Sequence, residues 1–172
     1  MYMYYYESPM GVMKLCADEE GLLGVWFDEE RIAEASLDIE AIENLHDNKH
    51  ISDAVCWLDQ YFAGNVPSFT PKLKLQGSEF RKTVSEIMLK IPYGELSTYG
   101  EIANEVAMRI GKDRMSAQAV GGSVGSNEFS IIVPCHRVVG KNGKLTGYAG
   151  GMDKKVYLLQ HEGVDFEKYN LR

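Results

Sequence analysis

Hydrophobic residues follow two different patterns along the chain. Three short apolar or aromatic runs come first, separated by turn-forming residues: Tyr2–Tyr6, Val12–Ala17 and Leu22–Phe27. Such runs are typical of β-strands joined by tight turns, and they predict an antiparallel meander. From Ser52 onward, apolar residues recur at spacings of three and four, the period of an amphipathic helix. The pattern therefore predicts an α/β domain followed by a mainly α domain.

The first predicted helix follows an acidic segment. Residues 28–48 carry scattered apolar positions, which fit either a helix or a mobile surface segment, and both interpretations stay open. Ser52 is the predicted N-cap of the helix, which we expect to end at Gly64-Asn65. A sheet with one packed helix makes a small α/β unit.

A proline-containing stretch marks the predicted domain boundary. Val66–Pro71 contains two prolines, so we expect one domain over residues 1–70 and a second over residues 71–172. The first 70 residues hold three basic and 14 acidic side chains, a net charge of −11, whereas the remainder holds 15 and 11, a net charge of +4. A basic half can neutralise phosphates locally although the whole chain is acidic. Charges that only form solvated faces are the alternative.

Three more helices are predicted in the second domain. They begin at capping residues and are stopped by proline, glycine or polar stretches. Their limits are Ser78 to Pro92-Tyr93-Gly94, Ser97 or Thr98 to the polar stretch Arg109–Arg114, and Ser116 to Val124. The last two, with their connection, resemble a helix-turn-helix.

Size and cysteine usage narrow the class of protein. With 172 residues and 45% apolar content, the chain can fill a core, and no apolar run approaches the roughly 18 to 20 residues that span a bilayer. The N-terminus also lacks a signal-peptide pattern, so we expect a cytoplasmic protein.

Cys16, Cys56 and Cys135 stand singly, which predicts neither a zinc site nor a disulfide framework. Cys56 and its neighbour Trp57 are expected in the core.

The segment Ile131–Val139 carries the candidate chemistry. An apolar run and Pro134 lead to Cys135 and His136, and a second apolar pair follows. A thiol is a nucleophile only as the thiolate, and a neighbouring imidazole is a common means of forming one near neutral pH. A structural cysteine beside a satisfied histidine is the alternative for this pair taken alone.

Two later motifs accompany this segment. Together, Pro134-Cys135-His136-Arg137-Val138-Val139, Gly147-Tyr148-Ala149-Gly150-Gly151 and Leu158-Leu159-Gln160-His161-Glu162-Gly163 strongly resemble the methylated-DNA-protein-cysteine methyltransferases, which repair O6-alkylguanine. The match runs from about Phe80 to Gly163. It implies a ribonuclease-H-like first domain, double-stranded DNA containing O6-alkylguanine as the partner, nucleotide flipping, one repair per molecule, and no cofactor or metal. We expect a monomer.

The resemblance implies a role for each matched residue. Cys135 is the acceptor, His136 is a base acting through a water, and Glu162 orients the imidazole. Tyr99 gives a proton or hydrogen bond to the flipped base, and Asn127 joins the recognition helix to the active-site strand. The positions implied to contact substrate or DNA are Gln118, Ala119, Gly122, Ser123, Val124, Arg137, Tyr148 and Ala149, with Arg137 also expected to pair internally.

The last predicted helix is unusually poor in large side chains. Its adjacent Gly121 and Gly122 cost roughly 1 kcal/mol each relative to alanine. Either close packing in the core or close approach of the helix backbone to a DNA minor groove explains this composition.

The chain departs from the family pattern at three places. Gln118 stands where many relatives place an intercalating arginine, so we expect flipping to depend less on charge. The linker before it is longer, and its basic residues Arg109, Lys112 and Arg114 are predicted to contact the DNA backbone. Glu128 and Ser130 suggest a more polar wall for the alkyl site.

Two other classes of protein stay open as alternatives. A non-catalytic damage sensor or helix-turn-helix regulator would use the same DNA-binding helices, but the sensors of this kind lack the cysteine that is present here as Cys135. A cysteine hydrolase usually takes its base from a distant segment, which an adjacent His136 does not fit.

Overall fold

A computed structural model describes residues 1–27 and 40–172 of the chain. Two compact units are formed, Met1–Leu75 with Glu128–Ser130, and Gln76–Asn127 with Ile131–Arg172. The sequence placed a boundary at residue 70 and did not anticipate that residues 128–130 join the first unit. No helix in the described ranges is long and apolar enough to cross a membrane.

The first unit is built on a four-stranded sheet. Strands β1 (Tyr2–Ser8), β2 (Gly11–Ala17) and β3 (Leu22–Trp26) pair antiparallel in sequence order, and β4 (Glu40–Ala41) pairs parallel with β1. The predicted meander is therefore confirmed. Most of the acidic segment whose structure was left open lies outside the described residues.

Residues from the later part of the chain extend this sheet. The Val25 N–H donates to the Glu128 carbonyl at 2.8 Å, and the Ser130 N–H donates to the Val25 carbonyl at 2.9 Å. The Glu128 carboxylate also accepts a 2.6 Å hydrogen bond from the Trp26 indole. These contacts join Glu128 and Ser130 to the edge of the sheet at β3, and their place in the wall of an alkyl site stays a prediction.

Helix α1 (Lys49–Phe62) packs on the strands of the first unit. Its N-cap is Asn48, whose side chain accepts hydrogen bonds from the N–H groups of His50 and Ile51, so the prediction of Ser52 as the cap was wrong. Asparagine and serine are about equally good caps, so cap preference alone does not distinguish Asn48 from Ser52.

The two neighbouring residues expected in the core of the first unit have different environments. Trp57 is buried, but Cys56 is exposed because it lies off the buried face of α1. That face consists of Ile51, Ala54, Val55, Trp57, Leu58 and Tyr61.

The second unit contains four helices. They are α2 (Glu79–Met88), α3 (Tyr99–Ile110), α4 (Ala117–Gly125) and α5 (Met152–His161). Helices α2, α3 and α4 pack against one another. The short strands β5 (Ser97–Thr98) and β6 (Val138–Val139) pair parallel beside them. An α/β first part and a helical second part agree with the predicted fold class.

Local sequence signals located the starts of three of these helices. Ser78, Thr98 and Ser116 are the N-caps, and Thr98 forms a reciprocal capping box with Glu101. The ends were less accurate. Helix α2 ends at Met88, short of Pro92, and α3 continues into the polar stretch as far as Ile110. Its C-cap is Gly111, whose φ of +69° suits glycine.

Candidate active site

The segment around Cys135 is buried in the second unit. Every residue over 131–139 is buried, and Cys135–Arg137 form a single 3-10 turn. Ile131 has a φ of +70°, a left-handed conformation that is uncommon for a β-branched residue. After the turn, Val138 pairs with Ser97 in the β5/β6 ladder. The thiol is thus held on backbone whose hydrogen bonds are made inside the unit, and its residue is only 7% exposed.

Asn127 connects the end of α4 to the cysteine. Its side-chain Nδ2 donates to the Val133 carbonyl at 2.9 Å and to the Cys135 sulfur at 3.1 Å. The residue is buried, so these hydrogen bonds are made away from bulk water. A donor aimed at the sulfur stabilises its negative form.

His136 is completely buried beside the cysteine. Its Nε2 lies 2.6 Å from Glu162 Oε1, and its Nδ1 has no hydrogen-bond partner among the described residues. Burial lowers the pKa of His136 below its usual 6.5, and this effect outweighs the opposing attraction of Glu162. The imidazole is therefore neutral at pH 7, with the proton on Nε2 and the basic lone pair on Nδ1.

Glu162 is a hydrogen-bond acceptor for several groups of the site. Besides His136, its oxygens accept from the Gly94 N–H at 3.0 Å and from Arg137 Nε and Nη2, both at 2.9 Å. Burial alone would raise the pKa of Glu162, but the hydrogen bonds from His136 and Arg137, together with the charge of Arg137, hold it well below its usual range. Glu162 is consequently a fixed carboxylate.

Arg137 is hydrogen-bonded to this carboxylate. The residue is 7% exposed, its Nη1 donates to the Ile91 carbonyl at 2.6 Å, and its guanidinium lies over the Tyr93 ring. The expected internal pair is confirmed, and the contact with DNA that the resemblance implies stays a prediction.

Tyr99 begins helix α3 and meets the loop before α5. Its hydroxyl lies 2.7 Å from Thr146 Oγ1. Its ring passes the small-residue helix α4 at Gly121, where an added Cβ would lie 3.8 Å from the ring. The structure therefore places Tyr99 between α4 and the loop.

Lys155 is a functional candidate that the sequence analysis missed. It is fully buried on α5, and its ammonium donates to the carbonyls of Val138 at 2.7 Å and Thr146 at 3.2 Å. Burial lowers the pKa of Lys155 to about 8, while the charge of Cys135 acts in the opposite direction. The sequence did contain a signal for its burial. Lys155 precedes Leu158 and Leu159 by three and four residues, which puts it on the same apolar face of the helix.

The residues predicted to contact DNA differ in their exposure. Gln118, Ala119 and Gly122 are exposed on α4. Ser123 and Val124 are buried, so their side chains are not on the surface of the helix. On the loop before α5, Ala149 is exposed and Tyr148 is partly buried.

The basic residues of the linker between α3 and α4 also differ in their environments. Arg109 pairs with Glu105 at 2.7 Å and with Glu86 at 3.5 Å, and Lys112 and Arg114 are exposed. Phosphate contacts are therefore better expected from Lys112 and Arg114. Over residues 1–27 and 40–172, no cluster of His, Cys, Asp or Glu is arranged to hold a metal ion.

An α/β unit followed by a helical unit with a buried cysteine, histidine and glutamate defines the class of the DNA alkyltransferases. The ribonuclease-like domain of 6-O-methylguanine DNA methyltransferase matches residues 1–75, and the DNA-binding domain of the same family matches residues 79–164. The chain belongs to the methylated-DNA–protein-cysteine methyltransferase family, as the sequence motifs predicted.

Individual relatives support this assignment over nearly the whole chain. The methylated-DNA–protein-cysteine methyltransferase of Methanosarcina acetivorans is 45% identical over 95% of this chain and 99% of the relative. The one from Haemophilus influenzae is 37% identical over 96% of this chain and 88% of the relative. The crystal structure of Mycobacterium tuberculosis OGT in complex with DNA is similar with a TM-score of 0.80 and 36% identity, covering 94% of this chain and 92% of that one.

Proposed function

We propose that this protein repairs O6-alkylguanine in double-stranded DNA by moving the alkyl group to Cys135 in a single irreversible reaction. The observation that carries the proposal is the orientation of His136. Its Nε2 is engaged by Glu162, and its buried Nδ1 is left with no partner among the described residues beside a cysteine that accepts a hydrogen bond from Asn127.

The first step is removal of the thiol proton. His136 is neutral at pH 7, so its Nδ1 accepts the proton of Cys135 through one water molecule. The imidazolium that forms is stabilised by the fixed carboxylate of Glu162, which two Arg137 nitrogens keep ionised. Asn127 stabilises the resulting thiolate through its Nδ2 donor.

The second step is alkyl transfer. The Cys135 sulfur attacks the alkyl carbon in line, so that an S–C bond forms as the C–O6 bond of the base breaks. The electron pair of that bond passes into the guanine ring, and a proton from the Tyr99 hydroxyl reaches the ring nitrogen that becomes basic. The proton taken by His136 then returns to Tyr99 through solvent, so the net products are an S-alkylcysteine and unmodified guanine.

The product sets the number of turnovers. A thioether has no good leaving group, so no hydrolysis regenerates the thiol of Cys135, and one protein molecule repairs one lesion. The alkyl donor is the DNA itself, so the reaction requires no cofactor.

The lesion reaches Cys135 by rotation of its nucleotide out of the duplex. Helices α3 and α4 would act as a helix-turn-helix, with α4 facing the minor groove. The exposed Ala119 and Gly122 allow the helix backbone to approach a narrow groove, and the exposed Gln118 can fill the gap left in the base stack. The similarity to Mycobacterium tuberculosis OGT, which was crystallised in complex with DNA, supports DNA as the partner.

Intact-protein mass spectrometry after incubation with a duplex containing O6-methylguanine tests this proposal. We expect one methyl group per molecule, located on Cys135 by peptide mapping, and a final yield equal to the amount of protein. Cys135→Ser should take up none. Cys56→Ser is the matched control, because Cys56 is an exposed thiol in the first unit and should not affect transfer. Repeated turnover would support a hydrolase, and binding without any mass gain would support a sensor.

A further inference from the structure

A chain of hydrogen bonds and strand pairing connects the backbone before Tyr99 to Thr146. The Thr146 side chain completes it by contacting the Tyr99 hydroxyl. Tyr99 follows Thr98, which pairs with Val139 in the β5/β6 ladder. The adjacent Val138 carbonyl accepts from Lys155, and the same ammonium donates to the Thr146 carbonyl. Thr146 Oγ1 then returns to Tyr99 at 2.7 Å.

Both groups on the Thr146 β-carbon have defined surroundings. Its methyl group lies 3.4 Å from the position that a Cβ on Gly140 would occupy, so it packs closely over that glycine. A β-branched side chain has a restricted χ1, and fixing the methyl group therefore fixes the hydroxyl as well. The hydroxyl is consequently directed at Tyr99.

We propose that Thr146 is a positioning residue that donates a hydrogen bond to the Tyr99 oxygen and thereby directs the phenol proton toward the extruded base. Rotation about the phenol C–O bond would otherwise let the Tyr99 proton point elsewhere, including at Thr146 itself. When the threonine is the donor, the phenol oxygen is occupied as an acceptor and its O–H is left for the substrate.

This arrangement also makes the phenol a stronger donor. Hydrogen bonds in a chain polarise one another, so an oxygen that accepts one bond gives its own proton more readily. The Lys155 ammonium contributes by holding the backbone of Thr146, which fixes the distance between the two hydroxyl groups. The inference rests on the proposed function, in which Tyr99 is the group that supplies a proton to the base.

The test compares Thr146→Val, which keeps the shape and removes the hydroxyl, with Thr146→Ser, which keeps the hydroxyl. Single-turnover rates of methyl transfer from duplex O6-methylguanine are measured for both variants, for Tyr99→Phe and for the double variant Tyr99→Phe/Thr146→Val. Loss of one well-placed hydrogen bond predicts a rate about tenfold lower for Thr146→Val. Thr146→Ser should stay within about threefold of the unmodified protein, and the double variant should match Tyr99→Phe alone.

Methylation of Cys135 by methyl iodide, followed by peptide mapping, provides the control because this reagent contains no base for Tyr99 to protonate. Thr146→Val should react with it at the unmodified rate. Equal slowing in both reactions, equal impairment of the serine and valine variants, or multiplied losses in the double variant would each overturn the role of Thr146. Failure of the unmodified protein to take a methyl group from DNA, with methyl iodide still reacting at Cys135, would instead overturn the proposed function.

Discussion

His136 Nε2 lies 2.6 Å from Glu162 Oε1, and both side chains are fully buried. A buried carboxylate is costly unless its oxygens are hydrogen-bonded, and here the Gly94 N–H and the Arg137 guanidinium supply further donors. The same carboxylate thus orients the proposed base and neutralises a buried arginine, so one residue couples the reactivity of the site to its stability.

Glu162→Gln should lower both stability and transfer rate. The change removes a buried negative charge and leaves Arg137 without its counter-ion, which predicts a loss of about 3 to 5 kcal/mol in the free energy of unfolding. Denaturant unfolding and single-turnover transfer measure the two effects. Glu79→Gln is the control, since that side chain is 90% exposed and its replacement should change stability by less than about 0.5 kcal/mol. Equal effects of the two changes would contradict the coupling.

The proposed base should limit transfer only at acid pH. Because the pKa of His136 is lowered from 6.5, the imidazole is already neutral at pH 7 and becomes protonated only below 6.5. We expect a rate that is level near neutrality and falls on acidification, with a midpoint below pH 6.5, in single-turnover assays across pH. His136→Gln should be slow and should lose this acid limb. A midpoint above 6.5 in the unmodified protein would argue against the assignment.

The lowered pKa of His136 also makes the free energy of unfolding depend on pH. Between the lowered pKa of folded His136 and 6.5, the unfolded chain binds the proton and the folded chain does not. The free energy of unfolding should therefore decrease as pH falls below 6.5, and His136→Gln should weaken that decrease.

The lowered pKa of Lys155 predicts that the free energy of unfolding also depends on pH in the alkaline range. Its pKa is about 8 in the folded protein against 10.5 for an ordinary lysine, so the unfolded chain holds the extra proton between these values. The contribution of Lys155 to the free energy of unfolding should accordingly increase from pH 8 to 10.5. Thermal or urea unfolding across this range should show that increase diminished in Lys155→Met, but unchanged in Lys141→Met, whose side chain is exposed.

Local and long-range features differ in how well the sequence predicts them. The caps Ser78, Thr98 and Ser116 were identified because a cap depends on a few neighbouring residues. The motif around Cys135 likewise identified the family. Thr146 and Lys155 were missed because their importance comes from contacts with residues far along the chain, which no local pattern encodes. The assignment of Glu128–Ser130 to the first unit was missed for the same reason.

Asn127→Ala should slow the reaction of Cys135 even when DNA is absent. The change removes a donor 3.1 Å from the sulfur and leaves the buried Val133 carbonyl without that hydrogen bond, at a cost of about 1 to 3 kcal/mol. Methylation of Cys135 by methyl iodide at pH 7 should fall in rate. Ser126→Ala, which removes a side chain from the preceding position without a contact to the sulfur, should leave the rate unchanged. An unaffected rate in Asn127→Ala would assign the amide a purely structural role.

The salt dependence of DNA binding should identify the residues that contact phosphate. Each lost phosphate contact reduces the slope of log affinity against log salt by about 0.9, so Lys112→Ala with Arg114→Ala should reduce it by roughly 2. Gln118→Arg adds a charge on the exposed face of α4 and should steepen the slope by about 1. Lys168→Ala is the control, as an exposed lysine outside the α3/α4 pair. Reaction with free O6-methylguanine base should be the same in these variants as in the unmodified protein, because no DNA backbone is present. A slope unchanged by the Lys112 and Arg114 substitutions, or an equal loss of reaction with the free base, would exclude a role in phosphate contact.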